Sequence, residues 1–263
     1  MTTSPLTPRH IEETFGDIEP AAPPSTVREE WSRFWRFVKA PRLPIAGTAH
    51  EGATRATARM LGLDTVFMFG FIAALGLAST LGFTPPENIN STLTPDIKSI
   101  ALIVLLAPLG EELLFRGPLS GRPRDVIALP ILGVAVFMIS AALLVPESAP
   151  VLLAFAGVMA LVAAAIRALL RGRGPWPFFR RFFAPLFWLS ALGFPLIHLG
   201  NYAEGSLAIL LPLVLPQFAL GTMLAYLRVH YGFATALALH AIHNALLFGL
   251  AVLGGLGSEA GAA

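Results

Sequence analysis

The chain has 263 residues, of which 55% are hydrophobic and 13% are charged, and its net charge is +2. A soluble domain of this size carries about 25% charged residues, so the composition excludes an ordinary soluble domain and predicts a membrane protein. The basic residues lie at the ends of apolar runs, which argues against a nucleic-acid partner. The absence of cysteine excludes disulfides, cysteine metal ligands and a thiol nucleophile.

Residues 1–60 are predicted to form a cytoplasmic tail that contains one amphipathic helix. Residues 1–24 are polar and rich in proline, which predicts disorder. Thr26 and Glu29 have the spacing of a capping box, which starts a helix. The helix then has an apolar face and a basic face, formed by Trp31, Phe34, Trp35 and Val38 and by Arg28, Arg33, Arg36 and Lys39. We expect it to lie at the membrane interface among lipid headgroups. The alternative is a soluble helix that packs on the membrane domain.

Residues 61–253 are predicted to form an all-α, polytopic membrane helix bundle. A membrane-spanning helix needs about 20 apolar residues, and seven segments meet this requirement. They are residues 61–83, 98–116, 127–145, 151–170, 183–200, 206–227 and 232–253. Residues 254–263 are predicted to be a short carboxyl-terminal tail.

The charges of the connecting loops alternate along the chain. One set of loops carries arginines (Arg122, Arg124, Arg167, Arg171, Arg173, Arg180, Arg181 and Arg228), and the other carries acids, with Lys98 as its one base. By the positive-inside rule, the amino terminus is cytoplasmic and the carboxyl terminus is outside, which suits a bacterial inner membrane. Trp176, Phe178 and Phe179 in the basic loop 167–181 predict an interfacial anchor, with a gate for peptide entry as the alternative.

Two adjacent carboxylates and an arginine interrupt the second span, at Glu111, Glu112 and Arg116. A charge at membrane depth costs roughly 2.5 kcal/mol or more, so such residues are functional candidates. Glu112 and Arg116 are four residues apart and can pair with each other. A purely structural ion pair is therefore the alternative interpretation.

Three histidines and an asparagine, with the two acids and the arginine, make up nearly all the strongly polar side chains of the spans. His198 lies at the end of the fifth span, and His240 and Asn244 lie one turn apart on the seventh, facing the same way. His243 is within reach of that face and is assigned to helix packing. Each has an ordinary explanation, since a histidine at a helix end is often satisfied by water, and asparagine often joins membrane helices.

These motifs resemble those of the CPBP family, the CAAX-processing and bacteriocin-processing intramembrane endopeptidases, also called the Abi family. Glu111-Glu112-x-x-x-Arg116, Phe194-x-x-x-His198 and His240-x-x-x-Asn244 occur in the family's order. The family includes the Ras-converting endopeptidases of eukaryotes. The resemblance covers roughly residues 99–250 and implies cleavage of a peptide or protein substrate near its carboxyl terminus.

The resemblance also implies the role of each residue. Glu111 would be the general base that takes a proton from water, and His198 would hold that water. His240 and Asn244 would donate hydrogen bonds to the oxyanion of the scissile carbonyl. Glu112 and Arg116 would order the site.

The sequence leaves the metal, the depth of the site and the substrate open. Direct activation of water with no required cofactor is preferred, because the HExxH spacing of zinc proteases is absent, but a zinc ion held by glutamate and histidines is the alternative. The predicted spans place His198 nearer the outer surface than Glu111, so the two meet only if the fifth helix is shifted, tilted or kinked at Pro185 or Pro195. Nothing indicates whether the substrate is prenylated.

Two other functions use the same residues. A proton-coupled transporter or channel would use Glu111 as a proton carrier and the histidines as a relay. A noncatalytic immunity or scaffold protein would carry a degenerate site, but no motif position is lost here.

Overall fold

The computed structural model of the protein describes residues 23–44, 51–92 and 95–260, so most of the tail predicted at 1–24 lies outside the described residues. Within them the chain is helical and holds no strand, which confirms the all-α class. The helices are α1 (Val27–Lys39), α2 (Ala53–Thr80), α3 (Ile97–Ile100), α4 (Ala107–Glu111), α5 (Pro123–Leu144), α6 (Ala149–Leu169), α7 (Pro177–Arg181), α8 (Phe183–Ile197), α9 (Leu207–Leu213), α10 (Leu215–His230) and α11 (Phe233–Ala260).

Five helices of the described part are long and apolar enough to cross a membrane, and they make the chain a helical membrane bundle. They are Ala53–Thr80, Pro123–Leu144, Pro146–Leu169, Phe183–Asn201 and Phe233–Gly254. A sixth crossing is obtained if α9 and α10, bent by 44° at their junction, form one span. Pro216 explains this bend, because its ring clashes with the carbonyl four residues earlier. The predicted count of seven spans stays a prediction.

The remaining predicted span, 98–116, alternates between α-helix and π-helix. Between α3 and α4 lies a π-helix, Ala101–Leu106, and after α4 comes another, Glu112–Arg116. We call residues 97–116 the motif segment. Pro108 and Pro118 follow the two π-helices closely, and because proline has no N–H, each interrupts the regular hydrogen bonds of the preceding turn. Single π-helical turns occur frequently at functional sites.

The core of the bundle surrounds α10. Every residue from 220 to 229 is buried, and α10 packs against α1, α2, α8 and α11. By contrast, α5 and α6 pack along each other beside the motif segment, and many of their leucines and valines are exposed, as on a lipid-facing surface.

The amino-terminal helix α1 docks on the bundle. Its capping box forms as predicted, since Thr26 Oγ1 accepts from the N–H of Glu29 at 3.2 Å. Ser25 N–H, which donates to the Glu29 carboxylate at 2.7 Å, holds the pKa of Glu29 below its usual value. The aromatic face enters the core, where Phe34 and Phe37 are buried against α10. α1 therefore packs on the membrane domain, as in the alternative interpretation, whereas the predicted position among lipid headgroups stays a prediction.

A buried carboxylate fixes α1 in place. Glu30 accepts hydrogen bonds from the hydroxyls of Tyr226 at 2.5 Å and Tyr231 at 2.8 Å, and it pairs with Arg59 of α2 at 3.4 Å. Both carboxylate oxygens of Glu30 thus have partners, which offsets the cost of burying the charge.

Glycine at a helix crossing brings the motif segment close to α5. A Cβ atom at Gly133 would lie 2.8 Å from the carbonyl oxygen of Gly110, so a larger side chain would push α5 away. Gly110 immediately precedes Glu111, so this close contact fixes the position of the first carboxylate of the motif segment.

Candidate active site

His240 of α11 lies between the two carboxylates of the motif segment. Its Nδ1 is 3.0 Å from Glu112 Oε1, and its Nε2 is 3.5 Å from Glu111 Oε2. An ionised carboxylate only accepts hydrogen bonds, so Nδ1 carries a hydrogen and Nε2 faces Glu111. The side chain of Glu112 is fully buried, whereas that of Glu111 keeps 13% of its surface exposed. Glu111 is therefore the carboxylate that water can reach more easily.

Arg116 forms the predicted pair with Glu112. Its Nη1 lies 3.2 Å from Glu112 Oε1, and both side chains are fully buried. The guanidinium carbon also lies 4.0 Å from the centre of the Phe194 ring, a cation–π contact. A Cβ atom at Gly221 of α10 would approach Arg116 Nη2 to 2.9 Å, so this glycine leaves the arginine its space.

Phe194 connects His198 to this cluster. The Phe194 ring lies 4.7 Å from the ring of His198 and 5.6 Å from that of His240, measured between centroids. His198 Nδ1 is fixed by the backbone carbonyl of Phe194 at 2.8 Å, which leaves Nε2 for another partner.

One hydrogen bond gives the register of His198 relative to Glu111. Ser190 Oγ donates to the carbonyl of Phe115 at 2.7 Å, which aligns these two positions on α8 and the motif segment. Because a helix rises 1.5 Å per residue, Glu111 lies about 6 Å and His198 about 12 Å from that level. If the two helices run antiparallel, as the predicted topology requires, His198 lies roughly one turn beyond Glu111.

Asn244 joins α11 to the motif segment. Its Nδ2 donates to the carbonyl of Ile103 at 2.8 Å. In the π-helical register, the partner of this carbonyl would be the nitrogen of Pro108, which has no hydrogen. Asn244 therefore satisfies a carbonyl that the sequence leaves without a backbone donor, in agreement with the interhelical role considered above. An amide nitrogen carries a second hydrogen, which this bond leaves unused.

Ser190 and Arg228, to which the sequence analysis gave no role at the site, hold the end of the motif segment. Arg228 was predicted in a loop, but it lies buried near the end of α10. Arg228 donates from Nε to the carbonyl of Arg116 at 2.9 Å and from Nη2 to that of Gly117 at 3.0 Å. Ser190 contacts the preceding carbonyl, as described above. Pro118 was the available clue, because a proline after a helix leaves carbonyls that need donors from elsewhere.

His243 has a partner that was also missed. Its Nδ1 lies 2.6 Å from Asp64 Oδ2 of α2, and both residues are buried. The predicted packing role of His243 agrees with this contact between α11 and α2. Asp64 could have been found as the one charged residue of the apolar run 60–80.

No group of three or more histidine, aspartate or glutamate side chains in residues 23–44, 51–92 and 95–260 is arranged to hold a metal ion. Dependence on zinc is therefore left to experiment.

The comparisons with known proteins place no relative beside this chain: no family model, no curated protein and no solved structure matches it. The family resemblance thus depends on the three motifs, and the function depends on the geometry of the site.

Proposed function

We propose that this chain is an intramembrane endopeptidase of the CPBP type, which hydrolyses a peptide bond near the carboxyl terminus of a peptide or protein. The observation that carries the proposal is the position of His240 between Glu111 and Glu112, at 3.5 Å and 3.0 Å. The activation of water requires a general base, and here an imidazole that can share a proton lies next to that base. Two motifs from distant parts of the sequence supply these groups and Arg116.

The reaction begins at Glu111. Its carboxylate takes a proton from water as the water oxygen attacks the scissile carbonyl carbon. The resulting tetrahedral oxyanion collapses, the carbon–nitrogen bond breaks, and the proton held by Glu111 passes to the leaving amine. Glu112 and Arg116 keep the His240 ring oriented throughout, because Nδ1 is bound to Glu112.

The oxyanion and the water are assigned to the remaining motif residues. His240 donates a hydrogen bond to the oxyanion from Nε2, beside Glu111, when that nitrogen also carries a hydrogen. Asn244 donates its second amide hydrogen to the same oxyanion. Donors of this kind contribute about 3 kcal/mol each to stabilising the transition state. His198 Nε2, the ring nitrogen that is not bound to the Phe194 carbonyl, is assigned to hold the attacking water within reach of Glu111.

Proton-coupled transport is the second candidate, and one observation favours it. α11 carries two histidine–carboxylate pairs, His240 with Glu112 and His243 with Asp64, three residues apart along the helix. Intramembrane acids and histidines in such series form proton relays in transporters. Peptidase activity is preferred because the Glu111–His240 contact and the interhelical Asn244 contact lie in the motifs of a peptidase family.

Proteolysis is tested directly with purified chain in nanodiscs and a peptide library, with new termini identified by mass spectrometry. We expect discrete cleavage products from the wild type and none from Glu111→Ala. Glu204→Ala, which removes an exposed loop carboxylate, is the matched control and should cleave normally. Proton uptake into vesicles without any cleavage product would support the transporter instead.

Metal dependence is tested by dialysis of the same preparation against a chelator. Direct water activation by Glu111 predicts unchanged cleavage. Loss of cleavage that only zinc restores would make Glu111, His198 and His240 the candidate ligands and would replace the proposed mechanism.

We further propose that the chain lies in a bacterial inner membrane with its amino terminus in the cytoplasm, and that the site opens toward the cytoplasm. Single substitutions Arg122→Cys, Arg173→Cys, Glu147→Cys and Glu204→Cys place thiols at exposed positions between the predicted spans, in a chain with no native cysteine. An impermeant thiol reagent outside the cell should label only the cysteines at 147 and 204. Labelling of the cysteines at 122 and 173 instead would reverse the orientation.

A further inference from the structure

A pocket outside the proposed active site lies between α2 and α11. Its volume is about 200 Å³. One end is polar and is formed by Asp64, Thr65 and His243. The walls are apolar and consist of Met68, Phe69, Ile72, Leu246, Leu247 and Leu250. Phe69, Ile72 and Leu250 are about half exposed, so the pocket opens sideways, where a membrane-spanning chain meets lipid.

The polar end contains an unused hydrogen-bond acceptor. Asp64 is 3% exposed, and its Oδ2 is bound to His243 Nδ1, but its buried Oδ1 has no hydrogen-bond partner. A buried carboxylate oxygen without a donor is costly, by roughly 1–3 kcal/mol or more. With Nδ1 donating to Asp64, His243 Nε2 in the neutral ring is a second acceptor. The pocket therefore offers acceptors at its closed end and lacks a donor.

The charge balance favours a cationic donor. Among the described residues, the imidazole of His243 is the one ion-pair partner of Asp64, and no arginine or lysine lies within 4 Å of this carboxylate. A carboxylate oxygen binds a charged donor more strongly than a neutral one. An ammonium group carries three hydrogens, which match the Asp64 oxygen, His243 Nε2 and the Thr65 hydroxyl.

The walls define the rest of the ligand. From Asp64 to Ile72 the pocket follows eight residues of α2, or about 12 Å at 1.5 Å per residue. An unbranched alkyl chain fits an apolar wall of this length. We propose that the pocket binds a single-chain primary amine, with its ammonium group on Asp64 and His243 and its alkyl chain along α2 and α11. This inference does not depend on the proposed peptidase activity.

The test uses decylamine that carries an aliphatic diazirine, with the full chain in phosphatidylcholine nanodiscs. After irradiation, we expect the label on residues 65–72 and 246–250. Excess unlabelled decylamine should remove it, whereas decane and decanoic acid should not. Asp64→Asn should lower labelling on the order of tenfold, because a charge-assisted hydrogen bond is replaced by a neutral one.

A second variant keeps the test valid if Asp64→Asn fails to fold. Leu250→Trp fills the outer end of the pocket, leaves the polar pair intact and should also abolish labelling. Leu161→Trp, at a 73% exposed position of α6, is the matched control and should label like the wild type. Equal competition by decane would show that lipid chains simply fill the pocket, and equal competition by decanol would show that charge is not recognised. Either result would overturn the proposal.

Discussion

The two histidine–carboxylate pairs of α11 have the same chemistry but different surroundings. His243 and Asp64 form an isolated pair at the end of an apolar pocket. His240 instead contacts two carboxylates, one of which is bound to Arg116. A pair that stands alone suits the binding of a ligand, whereas several coupled groups suit the transfer of a proton. The neighbours of a buried histidine therefore indicate more about its role than the histidine itself.

The largest expected effect comes from removing the cation of the coupled group. Arg116→Met leaves Glu112 buried without its arginine, and breaking a buried pair typically costs about 3–5 kcal/mol. We expect a large loss of stability in denaturant unfolding of the detergent-solubilised protein. The double variant Glu112→Leu with Arg116→Met should recover most of it, and Arg173→Met, in an exposed loop, should be neutral. A stable Arg116→Met single variant would contradict the described pairing.

The next largest expected effect is a loss of turnover when a histidine of the proposed site is removed. His240→Ala and His198→Ala should each lower turnover by about a hundredfold or more, the size expected for the loss of an acid–base partner or an oxyanion donor. Peptide cleavage is the measurement, with protein yield as the check on folding. If either variant keeps near wild-type turnover, the histidine that it lacks has only a packing role.

A third buried carboxylate, Glu30, gives a control for the comparison. It accepts from two tyrosine hydroxyls and pairs with Arg59, and no histidine of the described residues is paired with it, so we expect a structural role alone. Glu30→Leu leaves the hydroxyls of Tyr226 and Tyr231 without that acceptor, at a cost of roughly 1–3 kcal/mol for each unsatisfied group. Thermal unfolding should shift downward, while turnover at a permissive temperature stays unchanged. A loss of turnover in the folded variant would connect α1 to the site.

The smallest expected effect on stability is at Asn244. Its bond to the Ile103 carbonyl is an interhelical hydrogen bond, and such bonds in membrane proteins average about 0.6 kcal/mol. Asn244→Gln and Asn244→Asp should therefore fold almost normally but differ in turnover. Aspartate should be worse, because a carboxylate repels the oxyanion, whereas glutamine keeps a misplaced donor. Equal turnover of the two variants would remove Asn244 from the oxyanion site.

The sequence predicted those features that depend on local spacing. The capping box at Thr26 and Glu29, the Glu112–Arg116 pair and the helical bundle follow from periodicity and from residues four apart. The motif segment was less predictable, because its π-helical turns depend on where Pro108 and Pro118 leave carbonyls free and on which donors reach them from other helices. Asp64 was missed for a similar reason: its partner lies 179 residues away in the chain, and no local pattern reports such a contact.

The central claim is that Glu111 activates water beside His240, and it is tested most directly by comparing two isosteric variants on one cleaved peptide. Glu111→Gln keeps the shape of the side chain but removes the base, so cleavage should fall to the background of a protein-free control. Glu112→Gln keeps an acceptor for His240 and leaves the base in place, so cleavage should be reduced but measurable. Wild-type cleavage by a folded Glu111→Gln variant would contradict the account.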